Sequence, residues 1–354
     1  MSSPKTTFKD FYHIVVDSGQ CCGCGSCVAV CPLSALSYLY DQTLPVLVGK
    51  CTDCGVCFKA CPRYNFNVEE VEKMLFNRTR SESEVFGVHH NILAARSRIP
   101  DVLKVCQDGG LVSSLLIWAL ENKVVDAAVV ASFNPETWDA KPRFVRTREE
   151  VLSSAGTRYT YSPNNLLLRE AGANNIKVAF VGTGCEVEAV RKMQYHKLRK
   201  SVGTVVFTIG LMCHESYTMN GLIDKKIRGE LGIEPNQIAK MNIKGKIIIE
   251  TKDGKVAEIG LKDARQYVRK GCFYCGDFSA ELADISAGGA GAQGWTICVV
   301  RTDQGKNILE SAEKAGYLEI EPIEKHKSSY DTVVKLSNIQ RNRRAKALSG
   351  ALNI

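Results

Sequence analysis

The sequence predicts a small α+β domain at the N-terminus, followed by a larger domain of mixed α/β type. Nine of the 15 cysteines lie within the first 61 of the 354 residues, and this shift in composition marks a domain boundary. Beyond residue 90, apolar runs of strand length alternate with helical periodicity, which is typical of a sheet covered by helices. We therefore expect a first domain over 1–66, a connector over 67–90, a second domain over 91–322 and a basic helical tail over 323–354.

The cysteines of the first domain form a tandem repeat. The two runs are Cys21-x2-Cys24-x2-Cys27-x3-Cys31-Pro32 and Cys51-x2-Cys54-x2-Cys57-x3-Cys61-Pro62. Both match the bacterial ferredoxin pattern, in which the fourth cysteine of each run ligates the other cluster. We expect one [4Fe–4S] cluster on Cys21, Cys24, Cys27 and Cys61, and a second on Cys51, Cys54, Cys57 and Cys31. Two zinc sites are the alternative, but zinc ribbons need two Cys-x2-Cys pairs per metal. Cys22 is out of register and is expected to be a bystander.

The second domain is expected to alternate strands and helices. Strands are predicted over 91–95, 124–132, 177–181, 204–209, 283–287 and 295–301. Helices are predicted over 111–120, 149–154, 163–170, 187–195 and 307–315, and the connector carries one over 68–76. The turn Lys252-Asp253-Gly254 between two short apolar runs predicts a β-hairpin insert over 240–260.

Two glycine-rich segments are candidates for anion binding. Gly289-Ala-Gly291-Ala-Gln-Gly294 fits G-x-G-x-x-G, but a strand-like run follows it where a Rossmann site needs a helix. We therefore reject a standard nicotinamide dinucleotide site. Gly109 and Gly110 open a predicted helix, whose N-terminal N–H groups favour an anion.

Four later cysteines, Cys185, Cys213, Cys272 and Cys275, are expected at turns after strands or in loops. Cys272-x2-Cys275 alone indicates a zinc, redox or cluster site. Whether it joins Cys185 and Cys213 stays open, and the alternative is a buried dithiol with two unrelated thiols. Cys106 fits this set less well. Cys298 lies inside an apolar strand and is expected to be a small core residue.

Charge and hydropathy limit the cellular context. No stretch reaches the roughly 18 apolar residues of a membrane span, and Met1–Tyr12 is polar. We therefore expect a cytoplasmic protein whose thiols stay reduced. The net charge of +8 favours an anionic ligand or partner and disfavours nucleic acid. Residues 324–346 carry seven Lys or Arg against two acids, as a solvated helical face or a docking surface for an acidic partner.

The chain resembles the family of β-subunits found in coenzyme F420-reducing hydrogenase and F420-dependent dehydrogenases. It is most similar to members with a two-cluster ferredoxin domain fused in front, such as the F420H2-oxidising subunit of archaeal F420H2 dehydrogenases. The resemblance covers essentially the whole chain. The segments that carry it are 107–113, Gly156-Thr-Arg-Tyr159, Gly182-Thr-Gly-Cys185-Glu186, Cys213-His214, Cys272-x2-Cys275-x-Asp277, 283–289, Gly294-Trp295 and Arg301-Thr302.

The resemblance implies a flavoprotein with three clusters, so the expected fold is an α+β two-[4Fe–4S] ferredoxin domain followed by a mixed α/β flavoprotein domain. It implies a third [4Fe–4S] cluster on Cys185, Cys213, Cys272 and Cys275, and glycine segments that cradle FAD. The implied FAD contacts are Gln107, Asp108, Gly109, Gly110, Ser113, Thr157, Arg158, Tyr159, Asp284, Ser286, Gly288, Gly294, Trp295 and Arg301.

The resemblance also implies an activity. Reduced coenzyme F420 would give a hydride to FAD, and single electrons would pass through the clusters to a partner redox subunit or complex. One form of this arrangement is a subunit bound at the periphery of a membrane complex. No side chain need act as an acid or base, because positioning dominates. Two alternatives stay open: a ferredoxin-dependent FAD reductase of the chlorophyll-pigment reductase type in the same superfamily, and an electron-relay subunit without flavin.

Overall fold

The computed structural model describes residues 7–352. Its strands are β1 Leu36–Leu39, β2 Leu44–Leu47, β3 Asn91–Ser97, β4 Ala127–Phe133, β5 Ala140–Val145, β6 Val178–Thr183, β7 Val205–Leu211, β8 Ile238–Ile243, β9 Lys246–Thr251, β10 Val256–Gly260, β11 Ile285–Gly288, β12 Thr296–Val300 and β13 Leu318–Pro322. Its α-helices are α1 Phe8–Phe11, α2 Ser26–Ala29, α3 Val56–Ala60, α4 Val68–Phe76, α5 Pro100–Val105, α6 Leu111–Glu121, α7 Arg148–Ser153, α8 Leu168–Ala173, α9 Gly184–Tyr195, α10 Arg199–Val202, α11 Leu261–Ala264, α12 Lys270–Phe273, α13 Asp303–Lys314 and α14 Lys327–Leu348.

The two cysteine runs fold alike, as their repeat predicts. Each run turns at a glycine in the left-handed region, Gly25 with φ 78° and Gly55 with φ 71°, and a short helix follows. These helices, α2 and α3, carry the third cysteine of each run. The antiparallel pair β1–β2 lies between the runs. The N-terminal segment is therefore the small α+β unit that the sequence predicts.

An eight-stranded mixed sheet forms the centre of the larger part, in the order β13-β3-β12-β11-β7-β6-β4-β5. Neighbours from β11 to β4 run parallel, and the other pairs are antiparallel. Along β6, Ala179 and Val181 join the apolar cluster beneath α6 and α13, whereas Val178 and Phe180 join the cluster beneath α8 and α9. Both faces of the sheet are thus covered, which explains why its parallel strands are continuously apolar. The predicted mixed α/β class is confirmed.

Most element boundaries follow the sequence, and the departures bear on the site. The predicted hairpin is β9–β10, but β8 adds a third antiparallel strand. The helix predicted to start at Val187 starts at Gly184, because Thr183 and Glu186 form a capping box there. Strands β5 and β13 were not predicted. Among residues 7–352, no helix is long and apolar enough to cross a membrane.

Two cations from the larger part hold the cysteine runs against it. The Arg169 guanidinium, next to the start of α8, donates to the carbonyl oxygens at the end of α2, those of Val28, Ala29 and Cys31. The Lys192 ammonium of α9 donates to carbonyl oxygens around the end of α3, those of Phe58, Cys61 and Tyr64. Because helix C-termini leave carbonyls without partners, each cation satisfies groups that the short helix cannot.

The basic C-terminal helix α14 is more than a solvated face. Its Gln340 Nε2 donates to the carbonyls of Cys213 and Asp277 at 3.2 and 3.1 Å. Arg343 Nη2 donates to the carbonyls of His214 and Cys272 at 2.6 and 3.1 Å. The sequence left two alternatives for the basic segment, a solvated helical face and a docking surface for an acidic partner. The structure adds that one side of the helix packs against the segments that carry Cys213 and Cys272, whereas a docking role for its exposed residues stays a prediction.

Candidate functional site

The cysteines of the second predicted cluster surround a recess near the surface. Cys31, Cys51, Cys54 and Cys57 line it together with apolar side chains such as Phe8 and Phe58, and its volume is about 430 Å³ including the open mouth. Cys54 is exposed. A four-iron cluster held here would lie within reach of a partner protein.

The first predicted set is buried deeper. Cys24, Cys27 and Cys61 are buried and Cys21 is half-buried, whereas no cysteine of the second set is fully buried. Burial, followed by the neighbouring charges of Cys21 and Cys61, raises the pKa of the Cys27 thiol well above its ordinary value. The fourth member, Cys24, packs against Cys22 and Cys185, and its Sγ lies 3.2 Å from the Ser26 hydroxyl. The two ferredoxin sets therefore differ in solvent access.

The cavity at the predicted third cluster, called the third cavity below, has a volume of about 350 Å³ including its open mouth and brings together the four later cysteines. Cys185 lies in the first turn of α9, Cys213 follows β7, Cys272 lies in α12, and Cys275 follows that helix. Cys185 and Cys272 are thus helical, which corrects their expected loop positions. The structure places all four thiols on one cavity, which favours a shared site over a dithiol with two unrelated thiols.

The chemistry of this cavity suits an iron–sulfur cluster. Burial raises the pKa of the Cys275 thiol to about 12, so a thiolate there needs a compensating positive charge such as iron supplies. The Ser216 N–H points at Cys272 Sγ at 3.4 Å, as backbone donors do around anionic clusters. Across residues 7–352, no three His, Cys, Asp or Glu side chains converge where a single ion would bind.

The cavity also holds residues that the sequence did not single out. Cys22, expected to be a bystander, lines it beside Arg63, Tyr161 and Arg269. Hydrogen bonding with Cys22, and then burial, raises the pKa of the Cys185 thiol well above its ordinary value. The only signal in the sequence was that Cys22 is an extra thiol inside a ligand run. By contrast, Cys298 is fully buried in β12, as predicted.

Part of the predicted flavin site comes together at the turn before α6. Gln107 Oε1 accepts from the Thr157 N–H at 3.2 Å, and Gln107 Nε2 donates to the Met241 carbonyl of β8 at 3.1 Å. The Arg158 guanidinium lies 3.6 Å from the centroid of the Phe133 ring, and its buried Nε has no hydrogen-bond partner. Burial lowers the pKa of Arg158 to about 10. Its two terminal nitrogens donate to the carbonyls of Thr157 and Ala155, so the Nε donor and the uncompensated charge are what would suit an electron-rich or anionic group.

Asp108 lies in this turn, and Tyr159 of the neighbouring Thr157 segment is close enough to feel its charge. Burial, and then the Asp108 charge, raises the pKa of Tyr159 to about 12. Burial also raises the pKa of Asp108, against the opposing charges of Lys240 and Lys244. These two lysines were not expected at the site, because Lys240 lies in β8 and Lys244 in the turn between β8 and β9.

The glycine pair serves the fold as well as the turn. A Cβ on Gly109 would lie 2.5 Å from the Ala95 carbonyl oxygen and the Thr296 nitrogen, so this glycine lets the turn lie against β3 and β12. Gly110 has a φ of 80°, and its Cβ would meet Val102 at 2.6 Å. Both glycines therefore make room for the protein's own backbone and side chains.

The remaining predicted flavin contacts divide between the two ends of β11 and β12. Ser113 is half-buried on α6, Gly288 lies against Met212, Gly294 has open space around it, and Trp295 packs against His326. Asp284, Ser286 and Arg301 do not join this group. Asp284 accepts from Thr208 and pairs with Arg191 at 2.9 Å. Arg301 donates to Ser286 and to carbonyls of buried loops. These three side chains are engaged in hydrogen bonds inside the protein, and their contact with FAD stays a prediction.

Comparison with known proteins decides the family. A family model for the coenzyme F420 hydrogenase/dehydrogenase beta subunit matches residues 92–169 with its N-terminal part and 176–326 with its C-terminal part. The coenzyme F420 hydrogenase subunit beta of Methanosarcina barkeri is 35% identical over 74% of this chain and 93% of its own length. The chain belongs to the family of coenzyme F420 hydrogenase/dehydrogenase beta subunits. This membership confirms the resemblance found in the sequence.

Two further relatives refine the picture of this family member. A chain of the F420-reducing [NiFe] hydrogenase complex from Methanosarcina barkeri is similar with a TM-score of 0.72 and 33% identity, over 77% of this chain and 95% of that one. A subunit of the F420H2 dehydrogenase of Methanosarcina mazei is 29% identical over 94% of this chain and 92% of its own length. A 4Fe-4S dicluster domain matches residues 13–64, which contain both cysteine runs. The fold of the family thus carries an N-terminal ferredoxin-like domain here.

Proposed function

We propose that this protein is a flavin and iron–sulfur oxidoreductase subunit that oxidises reduced coenzyme F420 and delivers single electrons to a partner redox protein or complex. FAD and three [4Fe–4S] clusters are the proposed cofactors, on the residues described above. Residues 1–66 form the two-cluster domain, 91–322 the flavin- and third-cluster domain, 67–90 the connector and 323–354 the tail. A flavin supplies the conversion between hydride and single-electron chemistry when it is bound.

One observation carries the proposal: the candidate sites lie in series. The segment that holds Thr157, Arg158 and Tyr159 continues to Tyr161, which lines the third cavity. In that cavity the Tyr161 hydroxyl lies 3.8 Å from Cys185 Sγ, and Cys185 in turn packs against Cys22 and Cys24 of the ferredoxin-like domain. The recess of the second set then opens at the surface. A series of this kind suits transfer from a buried organic cofactor to an external partner.

The protein's own residues hold the proposed cofactors in place. Gln107 ties the turn before α6 to both the Thr157 segment and β8, so a flavin bound there would meet a rigid edge. Lys240 and Lys244 lie within electrostatic reach of this turn and favour a polyanionic donor such as coenzyme F420. Around the third cavity, Gln340 and Arg343 hold the segments that carry Cys213 and Cys272.

The deciding experiment is oxidation of reduced coenzyme F420 by the purified full-length protein, with added FAD and a viologen dye as one-electron acceptor. We expect steady dye reduction with this donor and little with NADH. The control is flavin-free protein, which should be inactive. Strong NADH oxidation, or activity that persists without flavin, would contradict the proposal. If the protein transfers electrons only when reduced ferredoxin is the donor, the result would favour the ferredoxin-dependent reductase alternative.

A further inference from the structure

The side chain of Arg63 connects two sites that belong to different parts of the chain. Arg63 follows the last cysteine of the second run by two residues, yet its side chain leaves the ferredoxin-like domain and lines the third cavity. It is only 6% exposed. Its neighbours there include Cys22, Cys185 and Cys275.

This arginine is incompletely paired. Its Nη1 donates to Glu188 of α9 at 3.3 Å, whereas its Nε and Nη2 are buried and have no hydrogen-bond partner. A buried guanidinium with two unused donor atoms is costly, unless an anionic group accepts from them. The two unused donors belong to a side chain that lines the same cavity as the four later cysteines. An iron–sulfur cluster bound there would supply the acceptors, because its thiolate and sulfide sulfurs carry negative charge.

The charge of Arg63 also reaches the ferredoxin-like domain. Burial alone would lower the pKa of Arg63, but the charges of Cys275, Glu188, Cys22 and Cys185 raise it well above its ordinary value. Arg63 follows Cys61, a predicted ligand of the first set, by two residues, and its side chain lines the third cavity. It is not among the residues that line the recess of the second set. One permanent cation therefore lies between two of the three thiol sets.

We propose that Arg63 is a positioning residue that raises the reduction potentials of the third cluster and the first ferredoxin cluster together, by donating hydrogen bonds to the third cluster and placing one positive charge between the two. The inference rests on the proposed function, since it requires both clusters. When one electron passes between them, the third cluster is oxidised by one electron and the first is reduced by one. Reduction makes a cluster more negative, so a nearby cation stabilises the reduced form of each.

Substitution of Glu188 should shift the reduction potentials in the direction opposite to substitution of Arg63. The Glu188 side chain is 11% exposed and its charge faces Arg63. Removing this negative charge should raise the potentials, because the Arg63 charge would then be unopposed. A purely structural role for the Arg63–Glu188 pair would give the two substitutions effects in the same direction.

The experiment is a redox titration of the full-length protein with dithionite, followed by EPR, with signals assigned through the Cys272→Ser variant. In Arg63→Met, the third and first clusters should shift to lower potential while the second stays in place. Arg63→Lys should shift less, and Glu188→Gln should shift the same two clusters to higher potential. If Arg63→Met loses iron on purification, Arg63→Lys and Glu188→Gln still show whether the reduction potentials move in opposite directions, as the proposal requires.

Two results would overturn this inference while leaving the proposed function intact. They are unchanged reduction potentials in all variants, and a shift of all three clusters in the same direction. Absence of a third-cluster signal from the wild-type protein would overturn the proposed cluster count and this inference with it. The two failures are therefore distinguishable in one set of titrations.

Discussion

At the scale of single residues, burial separates ligands from bystanders. Cys298 and Cys275 are both buried cysteines, and burial raises the pKa of each thiol to about 12. Cys298 lies among apolar side chains of the sheet, whereas Cys275 lies beside three further thiols and the Arg63 charge. The same desolvation thus marks a core residue in one place and a candidate ligand in the other, and only the neighbours distinguish them.

This contrast predicts the behaviour of two matched substitutions. Cys272→Ser should remove one cluster, because a serine oxygen is a poor replacement for thiolate, and iron should fall by about a third from roughly twelve atoms per chain. Cys298→Ser should leave the iron content unchanged. Anaerobic iron and sulfide analysis with EPR measures both. Equal iron loss in the two variants would mean that the third ligand set is misassigned.

At the scale of elements, short helices depend on charges from elsewhere in the chain. Helices α2 and α3 have four and five residues, too few to be stable alone. Their terminal carbonyls accept from Arg169 and Lys192 of the larger part. The ferredoxin-like domain is therefore held in place by hydrogen bonds that cross the boundary between the two parts.

We expect Lys192→Met to destabilise the protein by about 1.5–3 kcal/mol, because three buried carbonyl groups lose a charged donor. Thermal or denaturant unfolding measures the loss, and iron should be lost first from the ferredoxin-like domain. Lys306→Met is the matched control, since Lys306 is half-exposed on α13 and its partner is 3.9 Å away. Its effect should stay within about 0.5 kcal/mol. Equal effects of the two substitutions would argue against a stabilising role for the hydrogen bonds between Lys192 and the end of α3.

At the scale of the whole molecule, charge is unevenly distributed. The chain carries +8, of which residues 324–346 contribute +5. Part of this tail charge is used internally, because Arg341 and Arg343 pair with Glu281 and Glu215. The charge available to an anionic donor at the flavin turn comes from Lys240 and Lys244.

Donor binding should therefore weaken with salt. Screening shortens from about 10 Å at 0.1 M ionic strength to about 3 Å at 1 M, so the KM for reduced coenzyme F420 should rise while kcat changes little. Steady-state kinetics over a salt series measures this. The control repeats each salt concentration with saturating viologen dye, so that an effect of salt on electron transfer to the acceptor is not mistaken for an effect on donor binding. A KM that is independent of salt would show that charge does not guide the donor.

The sequence by itself determined the ferredoxin-like domain, the sheet class and the β9–β10 hairpin. Ligand spacing in the cysteine runs, strand patterning and the turn at Gly254 are local properties, so a short window of sequence contains them. Only the tertiary structure brought Cys185, Cys213, Cys272 and Cys275 to one cavity and added Cys22 and Arg63. It also assigned Asp284, Ser286 and Arg301 to internal hydrogen bonds. These outcomes depend on contacts between residues far apart in the chain, and the unused donors of a buried arginine become visible only when its surroundings are known.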